Sequence, residues 1–536
     1  MHDVIVLGTG VAGLVAAIAA HDEGAAVGLY DKSELIGGTT AMSGGVVWMP
    51  NNHLQAAAGV QDSREQALAY LESLSLGLID SDMAAAFVDN GPKAVQYLHE
   101  HTPCDFTLLG NYPDYHPDHP GGFADGGRSV DNHVFAFPRL GEWAAKVRNS
   151  RGAMPVALGE TPLGGATAGP EPAVLAERMK NGENGMGLGM IGALLRGCLD
   201  RGIEPQLGWR ADSLIQDGER VRGVRFSTDE GDHEVQANSG VVVATGGFEF
   251  NTEMAKAFLR GPMTGPAGSP ENTGDGLVMS IEAGARLANM GSAWWVPITR
   301  IPGEEQFGAP KVNLILLERT RPGSLMVNST GRRFCNEAGN YNSMGGVFHQ
   351  FDPVNFNYPN LPAWLIFDHA HKQRYDVVAS PAGEDVPEWM ASGDTPAELA
   401  HEIGVDPTAL TETIARFNEH ARAGEDPDFH RGASAYDTFN GDQTLPGIKA
   451  TLGPLAQAPF HAIKIEQGTL GTNGGPKTDA RGRVLAQRGG VISGLWAAGN
   501  VMAAPIGMVY GGAGGTIAPA LTFGWIAGRD AATDRA

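Results

Sequence analysis

The stretch Val4-Ile5-Val6-Leu7-Gly8-Thr9-Gly10-Val11-Ala12-Gly13 constrains this chain more than any other. Four apolar residues read as a buried strand, the glycines as a turn, and the small apolar run Leu14 to Ala20 as a tightly packed helix. In that order each glycine has a job. Gly8 permits the turn, Gly10 lets a pyrophosphate approach the backbone at the helix N-terminus, and Gly13 lets the helix lie close on the sheet. A second run, Ala26 to Tyr30, ends at Asp31, whose carboxylate can accept from a ribose diol; an acid there favours an unphosphorylated ribose, as in FAD or NAD.

The glycine spacing alone is weak, and Gly187-Leu188-Gly189-Met190-Ile191-Gly192 repeats it as a decoy. The residues before it, Val174 to Lys180, have helical rather than strand character and no acid-ended strand follows, so those glycines are assigned to helix packing. One credible fingerprint gives no support for a second nucleotide site.

Composition narrows the class. The chain has 536 residues, 42% of them hydrophobic, a soluble globular make-up with room for two or three domains. A net charge of −23 without a dense basic block argues against nucleic acid or an anionic membrane surface as partner. Cys104, Cys198 and Cys335 lie far apart, with no thiolate zinc spacing or disulfide framework, which points to reducing cytoplasm. Neither a leader peptide nor an apolar run of about 18 residues is expected to direct the chain into a membrane.

FAD is favoured over NAD by what surrounds the fingerprint. Lys32-Ser33 and the loop Gly37 to Gly45, made of small and hydroxyl residues, can run along an extended cofactor. Two further strands end in comparable turns, Val241-Val242-Val243-Ala244-Thr245-Gly246-Gly247 and Leu495-Trp496-Ala497-Ala498-Gly499-Asn500.

These stretches, with Thr273-Gly274-Asp275-Gly276, resemble in sequence and order the fumarate reductase and 3-ketosteroid dehydrogenase superfamily of flavoproteins. The resemblance spans nearly the whole chain. It implies an α/β protein: a Rossmann-like FAD-binding domain of the glutathione-reductase type, discontinuous over 1–287 and 458–536, with an inserted α+β catalytic domain over 288–457. A helix over Gly276 to Ala288 is expected to close the first part, and strand-like Ala462 to Ile465 to mark the return. Within the insert, Thr395-Pro396 and Asp406-Pro407 are helix starts, with Leu410, Ile414 and Phe417 as core. Cofactor contacts are expected from Gly8, Gly10, Val11, Ala12, Gly13, Asp31, Lys32 and Ser33, and from Gly38, Thr39, Thr40, Ser43, Gly44 and Gly45. Others are expected from Ala244, Thr245, Gly246, Asp275, Asn500, Gly515, Thr516 and Ile517. Thr39 and Thr40 stand where histidyl-flavin relatives have histidine, so the FAD is expected to be non-covalent.

Within the superfamily, dicarboxylate enzymes take an arginine from the segment matching Gly507 to Gly515, where this chain has Tyr510. Val509 to Ile517 is instead similar to the loop of 3-ketosteroid Δ1-dehydrogenases, in which a tyrosine hydroxyl and a glycine amide bind the ketone oxygen. Carried over, these are Tyr510 and Gly514. The stretch departs from the family wording at Gly512 and Ala513, where a proline commonly precedes the functional glycine.

By the same resemblance Tyr341, after Asn336-Glu337, is the base, and its helper is a tyrosine of the loop Asn111 to Gly122, Tyr115 in preference to Tyr112. A phenol of ordinary pKa about 10 needs such help. The implied reaction is desaturation of a cyclic ketone beside its carbonyl, on a 3-ketosteroid or a smaller cyclohexanone, with a quinone or another acceptor taking the electrons.

The rivals are a reductase of unsaturated acids or enones and a non-catalytic FAD-binding electron carrier. Trp48, Trp294, Trp295 and Phe351 are candidates for an apolar pocket, and Arg151 to Pro170 for a loop covering it. No metal is expected at His116 and His119 with Asp114 and Asp118, and His369 with His371 is assigned to an exposed helix end.

Overall fold

Continuous burial of Val4, Ile5, Val6 and Leu7 makes their strand an inner one, paired on both sides. In the computed structural model, which describes residues 2–149, 152 and 154–534, Val4 lies opposite Val27 and Ile5 opposite Val241, both pairings parallel. Val241 in turn pairs in parallel with Leu495. Four parallel strands thus form one half of a seven-stranded sheet, and Arg210–Asp217, Arg220–Thr228 and the short antiparallel Arg483–Leu485 complete it.

The helices Val11–Asp22 and Ile517–Thr533 cover this sheet and touch each other along their length. Glycine makes that approach possible: a Cβ on Gly524 would stand 2.5 Å from the Ala12 carbonyl oxygen, and one on Gly528 2.3 Å from that of Ala16. The decoy glycines lie in the helix Met186–Leu199, where a Cβ on Gly187 would strike the Thr40 carbonyl.

A second sheet is organised around Phe460–Thr472, which pairs with Ala293–Thr299, Ala363–Asp368, Gly265–Pro266 and Ala391–Gly393. Helices Pro396–Ile403 and Pro407–Ala423 start where expected, capped by the Thr395 hydroxyl and the Asp406 carboxylate. Leu410, Ile414 and Phe417 are core. Two boundary features differ from expectation. The helix after Gly274 spans Asp275–Glu282 and does not reach Ala288, because Gly284 takes up a left-handed φ of 87°. The strand taken to mark the return at 458 is the middle of the second sheet, so the chain rejoins the first sheet only beyond Thr472.

His371 is also corrected. It is buried, its Nδ1 is 2.9 Å from the Pro322 carbonyl, and burial pushes its imidazole down to about 4. Among the described residues no helix is long and apolar enough to cross a membrane.

Candidate active site

A cavity of about 430 Å³ is lined by residues of both sheets. The N-termini of the two packed helices border it, with Val11 and Ile517 among its lining residues and the second terminus beside Tyr510. Each terminus carries unpaired amides and a partial positive charge.

Gly8 has φ 107°, and a Cβ there would be 2.3 Å from the Ala244 oxygen. One on Gly13 would be 1.8 Å from the Gly8 oxygen. At Gly10 the nearest atom to a Cβ would be Thr40 Oγ1 at 3.9 Å, so that face of the turn opens onto the cavity. Thr245 also lines it, although its Oγ1 turns toward Gly276, where a Cβ would stand 2.2 Å away. An open glycine turn and two helix N-termini are the fittings an extended dinucleotide requires.

The polar lining lies with this turn. Asp31 accepts from Thr9 N at 2.8 Å, Thr9 Oγ1 at 2.6 Å and Ser33 N at 2.9 Å, while burial pushes its carboxyl up. Lys32 pairs with Asp275 at 2.8 Å, holding that carboxyl below its ordinary range against the cost of burial. Arg148, absent from the expected set, is buried, pairs with Glu271 at 2.6 Å and donates to Ser33 Oγ at 3.1 Å. Lys32 and Arg148 are the only cations among the described lining residues.

The other end is phenolic and apolar. Tyr341 Oη lies 3.1 Å from Tyr115 Oη and 2.8 Å from Tyr510 Oη. Tyr115 and Tyr510 stack at 5.3 Å with their planes 6° apart, and Tyr341 stands edge-on to both at 5.5 Å. Desolvation raises Tyr115 and Tyr341 well above the ordinary phenol range, and Tyr510 as well, so the resting cluster is neutral. Tyr112 packs on Phe439 at 4.5 Å and Tyr436 on Tyr115 at 4.8 Å.

The loop behind Tyr510 is fixed by contacts that account for its glycines. A Cβ on Gly511 or Gly512 would enter the Trp48 ring at 2.6 or 2.3 Å. The Gly511 carbonyl accepts from Tyr70 Oη at 2.8 Å and Tyr115 N at 2.9 Å, and Ser129 Oγ donates to the Ala513 carbonyl at 3.1 Å. Gly514 has φ 91°, and a Cβ there would be 2.2 Å from the Val46 oxygen. Proline has no part in shaping this approach.

Of the expected site residues, Tyr112, Tyr115, Tyr341, Tyr510 and Gly514 all line the cavity, as do all expected cofactor contacts except two. Gly13 packs under its own turn, and Gly515 under the Tyr510 ring, where a Cβ would be 2.8 Å from Cδ1. Thr39 spends its hydroxyl on Ser269 N and Asn272 Nδ2, and Asn500 receives Trp294 Nε1 at 3.3 Å.

The four expected aromatic pocket residues do not line the cavity: Trp48 is clamped by Tyr70, Asp114 and Gly511, Trp294 lies behind Tyr510, Trp295 packs on His349, and Phe351 is exposed. The apolar wall comes instead from Val46, Leu158, Leu163, Met186 and Leu470, with Met154. Three of these, Met154, Leu158 and Leu163, belong to the expected cover segment; its Arg151 and Ala153 lie outside the described residues. Isolated apolar residues in a Gly- and Pro-rich stretch leave no periodic trace by which sequence could find them. His116 Nε2 is engaged by Asn340 Nδ2 at 2.9 Å, and Asp114 by Arg128 and Trp48.

Comparison with known proteins identifies the chain's family. The family described as FAD binding domain matches residues 3–517. The chain is 38% identical to 4-oxocyclohexanecarboxylate 2-dehydrogenase of Sinomonas cyclohexanicum, over 98% of this chain and 92% of that protein. It is 36% identical to 3-oxosteroid 1-dehydrogenase of Mycobacterium tuberculosis, over 98% and 97%. The crystal structure of 3-ketosteroid delta1-dehydrogenase from Sterolibacterium denitrificans in complex with 1,4-androstadiene-3,17-dione superposes with a TM-score of 0.91 at 32% identity, covering 99% of each chain.

Proposed function

The chain belongs to the FAD binding domain family, and from that premise we propose that it is an FAD-dependent dehydrogenase that introduces a double bond beside the carbonyl of a neutral cyclic ketone. The observation that carries this reading is Tyr341 Oη held between Tyr115 and Tyr510 on the cavity wall, at the end away from Lys32 and Arg148. Two carboxylates of a dicarboxylic acid would find no partner there.

In this reading the ketone oxygen lies against Tyr510 Oη and the Gly514 amide, which stabilise the charge that develops on it as the enolate forms. Tyr341 takes the α-proton: the C–H bond breaks, an O–H bond forms, and the electron pair moves toward the carbonyl oxygen. Tyr115 supports the phenolate that must exist before transfer, since burial alone opposes it. FAD, held non-covalently at the glycine turn and the helix N-termini, supplies the acceptor for the β-hydride. The residues contribute orientation, a dry apolar wall and proton transfer.

The proposed domain plan is a discontinuous Rossmann-like FAD domain over 1–287 and the C-terminal segment, with a catalytic domain from 288. The pairing of Phe460–Thr472 supports moving the second junction from 458 to just past Thr472. A quinone or another acceptor removes the electrons, and three buried free thiols accord with a cytoplasmic location.

The test is anaerobic bleaching of the flavin by a panel of 3-ketosteroids, cyclohexanone and 4-oxocyclohexanecarboxylate. Bleaching by neutral ketones is expected. Reduced flavin reoxidised by fumarate or crotonate-type acids, with no bleaching by any ketone, would overturn the reading.

A further inference from the structure

Four arginines are buried in the described structure: Arg128, Arg148, Arg319 and Arg431. Arg128 pairs with Asp62 and Asp114 at 2.7 and 2.8 Å, Arg148 with Glu271 at 2.6 Å, and Arg431 with Glu337 at 3.2 Å. Arg319 is different. No carboxylate among the described residues forms an ion pair with it, although it is 1% exposed. Its partners are carbonyl oxygens: Nη1 donates to Glu337 and to Gly339 at 2.7 Å, and Nε to Ile315 at 3.2 Å.

Two consequences follow from where those carbonyls are. Glu337 and Gly339 stand four and two residues before Tyr341, so the guanidinium braces the strand of loop that aims the phenol. A buried cation with only neutral partners leaves most of its desolvation cost uncompensated. The groups facing it are Tyr436, Cys335, Glu318 and Asp437, and its positive charge also reaches Tyr112. Tyr436 and Tyr112 lie against the rest of the phenol cluster, and Asp437 acts on Tyr436 with the opposite sign. His116, beside the Tyr341 loop at Asn340, is pushed down to about 4 by burial and is neutral over most of the working range.

We propose that Arg319 is a positioning residue for α-proton abstraction: it fixes the loop that carries Tyr341 and supplies the buried positive charge that the phenol cluster draws on while it holds an anion. Glu318 and Asp437 face Arg319 without forming an ion pair with it, and the anion that forms as Tyr341 ionises ahead of proton transfer adds a transient negative charge to its surroundings. The inference rests on the proposed ketone desaturation.

The experiment compares wild-type holoenzyme with Arg319→Gln and Arg319→Lys in two measurements across neutral to alkaline pH. One is the rate of anaerobic flavin reduction by the ketone that bleaches the wild type. The other is tyrosinate ultraviolet absorbance without substrate, which reads phenol ionisation whether or not any ketone reacts. In Arg319→Gln the rising alkaline limb of the rate, and the tyrosinate step that Tyr341→Phe removes from the titration, should both move up by about one pH unit or more. In Arg319→Lys, which keeps the charge but not the paired carbonyl contacts, the limb should hold its position while reduction slows about tenfold.

A uniform loss of rate in Arg319→Gln with limb and tyrosinate titration unmoved would overturn the proposal. Should Arg319→Gln fail to retain flavin, a limb displaced upward in Arg319→Lys would overturn it and an unmoved one would support it. A wild type that no ketone bleaches would refute the reaction, leaving the tyrosinate titration to decide the role of the charge.

Discussion

Two regions meet at the loop Arg333 to Tyr341, and they treat charge in opposite ways. At its root, Glu337 accepts from Arg333 Nε and Nη2, both at 2.8 Å, from Arg431 Nη1 at 3.2 Å and from Met326 N at 3.1 Å. Arg333 continues to Asp426 at 2.9 and 3.0 Å. Two cations and two anions cancel, the Glu337 carboxylate accepts four hydrogen bonds, and the nearby arginines hold it below its ordinary range despite burial. At its tip, Tyr341 meets only phenols and apolar walls. The root is built to be electrostatically finished, whereas the tip is neutral at rest and able to accept a negative charge during turnover. Buried charge that is paired rigidifies, and buried polarity left open can do chemistry.

Removing the tip should separate the two regions most sharply. Tyr341→Phe keeps the ring and loses only the hydroxyl, so flavin reduction by ketone should fall by about 10²- to 10⁴-fold with the melting temperature essentially unchanged. Anaerobic stopped-flow and a thermal melt read the two quantities. A large drop in melting temperature would mean that the tip also carries the fold.

The converse change is Glu337→Gln. Leaving Arg333 and Arg431 short of a partner should cost about 3–5 kcal/mol of stability in denaturant unfolding. Its pH dependence has a definite sign. A carboxyl depressed in the folded state adds stability that is present above its unfolded pKa, about 4.3, and is lost as pH falls further. Wild type and variant should therefore converge on acidification below about pH 4. A gap that stayed constant there would mean that shape at Glu337, and not its charge, holds the root.

These regions were unequally legible in the sequence. The dinucleotide end is written in local terms, since Gly8, Gly10 and Asp31 act through backbone conformation and short-range geometry that spacing reveals. The helix starts at Thr395 and Asp406 are local in the same way. The tyrosines could be named only by likeness to a known loop, because Tyr115, Tyr341 and Tyr510 converge over separations of 226 and 169 residues. Non-local packing hid Arg148, the Leu158 wall and the lack of a carboxylate partner for Arg319. It also misdirected the aromatics: Trp48 looked like pocket because size and polarity are visible in sequence, whereas its clamp against Gly511 and Gly512 is not. Phe460–Thr472 misled for a related reason, since a strand's pattern states that it is buried and does not state in which sheet.

The finest cut lies inside the tip, between its two candidate helpers. Tyr115 and Tyr112 come from one proline-pinned loop and both line the cavity. Only Tyr115 brings its hydroxyl within 3.1 Å of Tyr341, and its backbone amide is also tied to Gly511, behind Tyr510. Tyr112 spends its ring on Phe439. A single neutral hydrogen bond to the base is worth about 1 kcal/mol, so Tyr115→Phe should slow flavin reduction roughly fivefold to tenfold and displace its alkaline limb upward. Tyr112→Phe should change the rate by less than about twofold, since phenylalanine preserves its packing and its hydroxyl meets Tyr115 rather than the base. Measured side by side with one ketone, the reverse order would make Tyr112 the helper and would require the phenols to rearrange when cofactor and ketone are bound. Equal small effects would mean that the anion at Tyr341 depends on Tyr510 and more distant charge, and not on the phenol beside it.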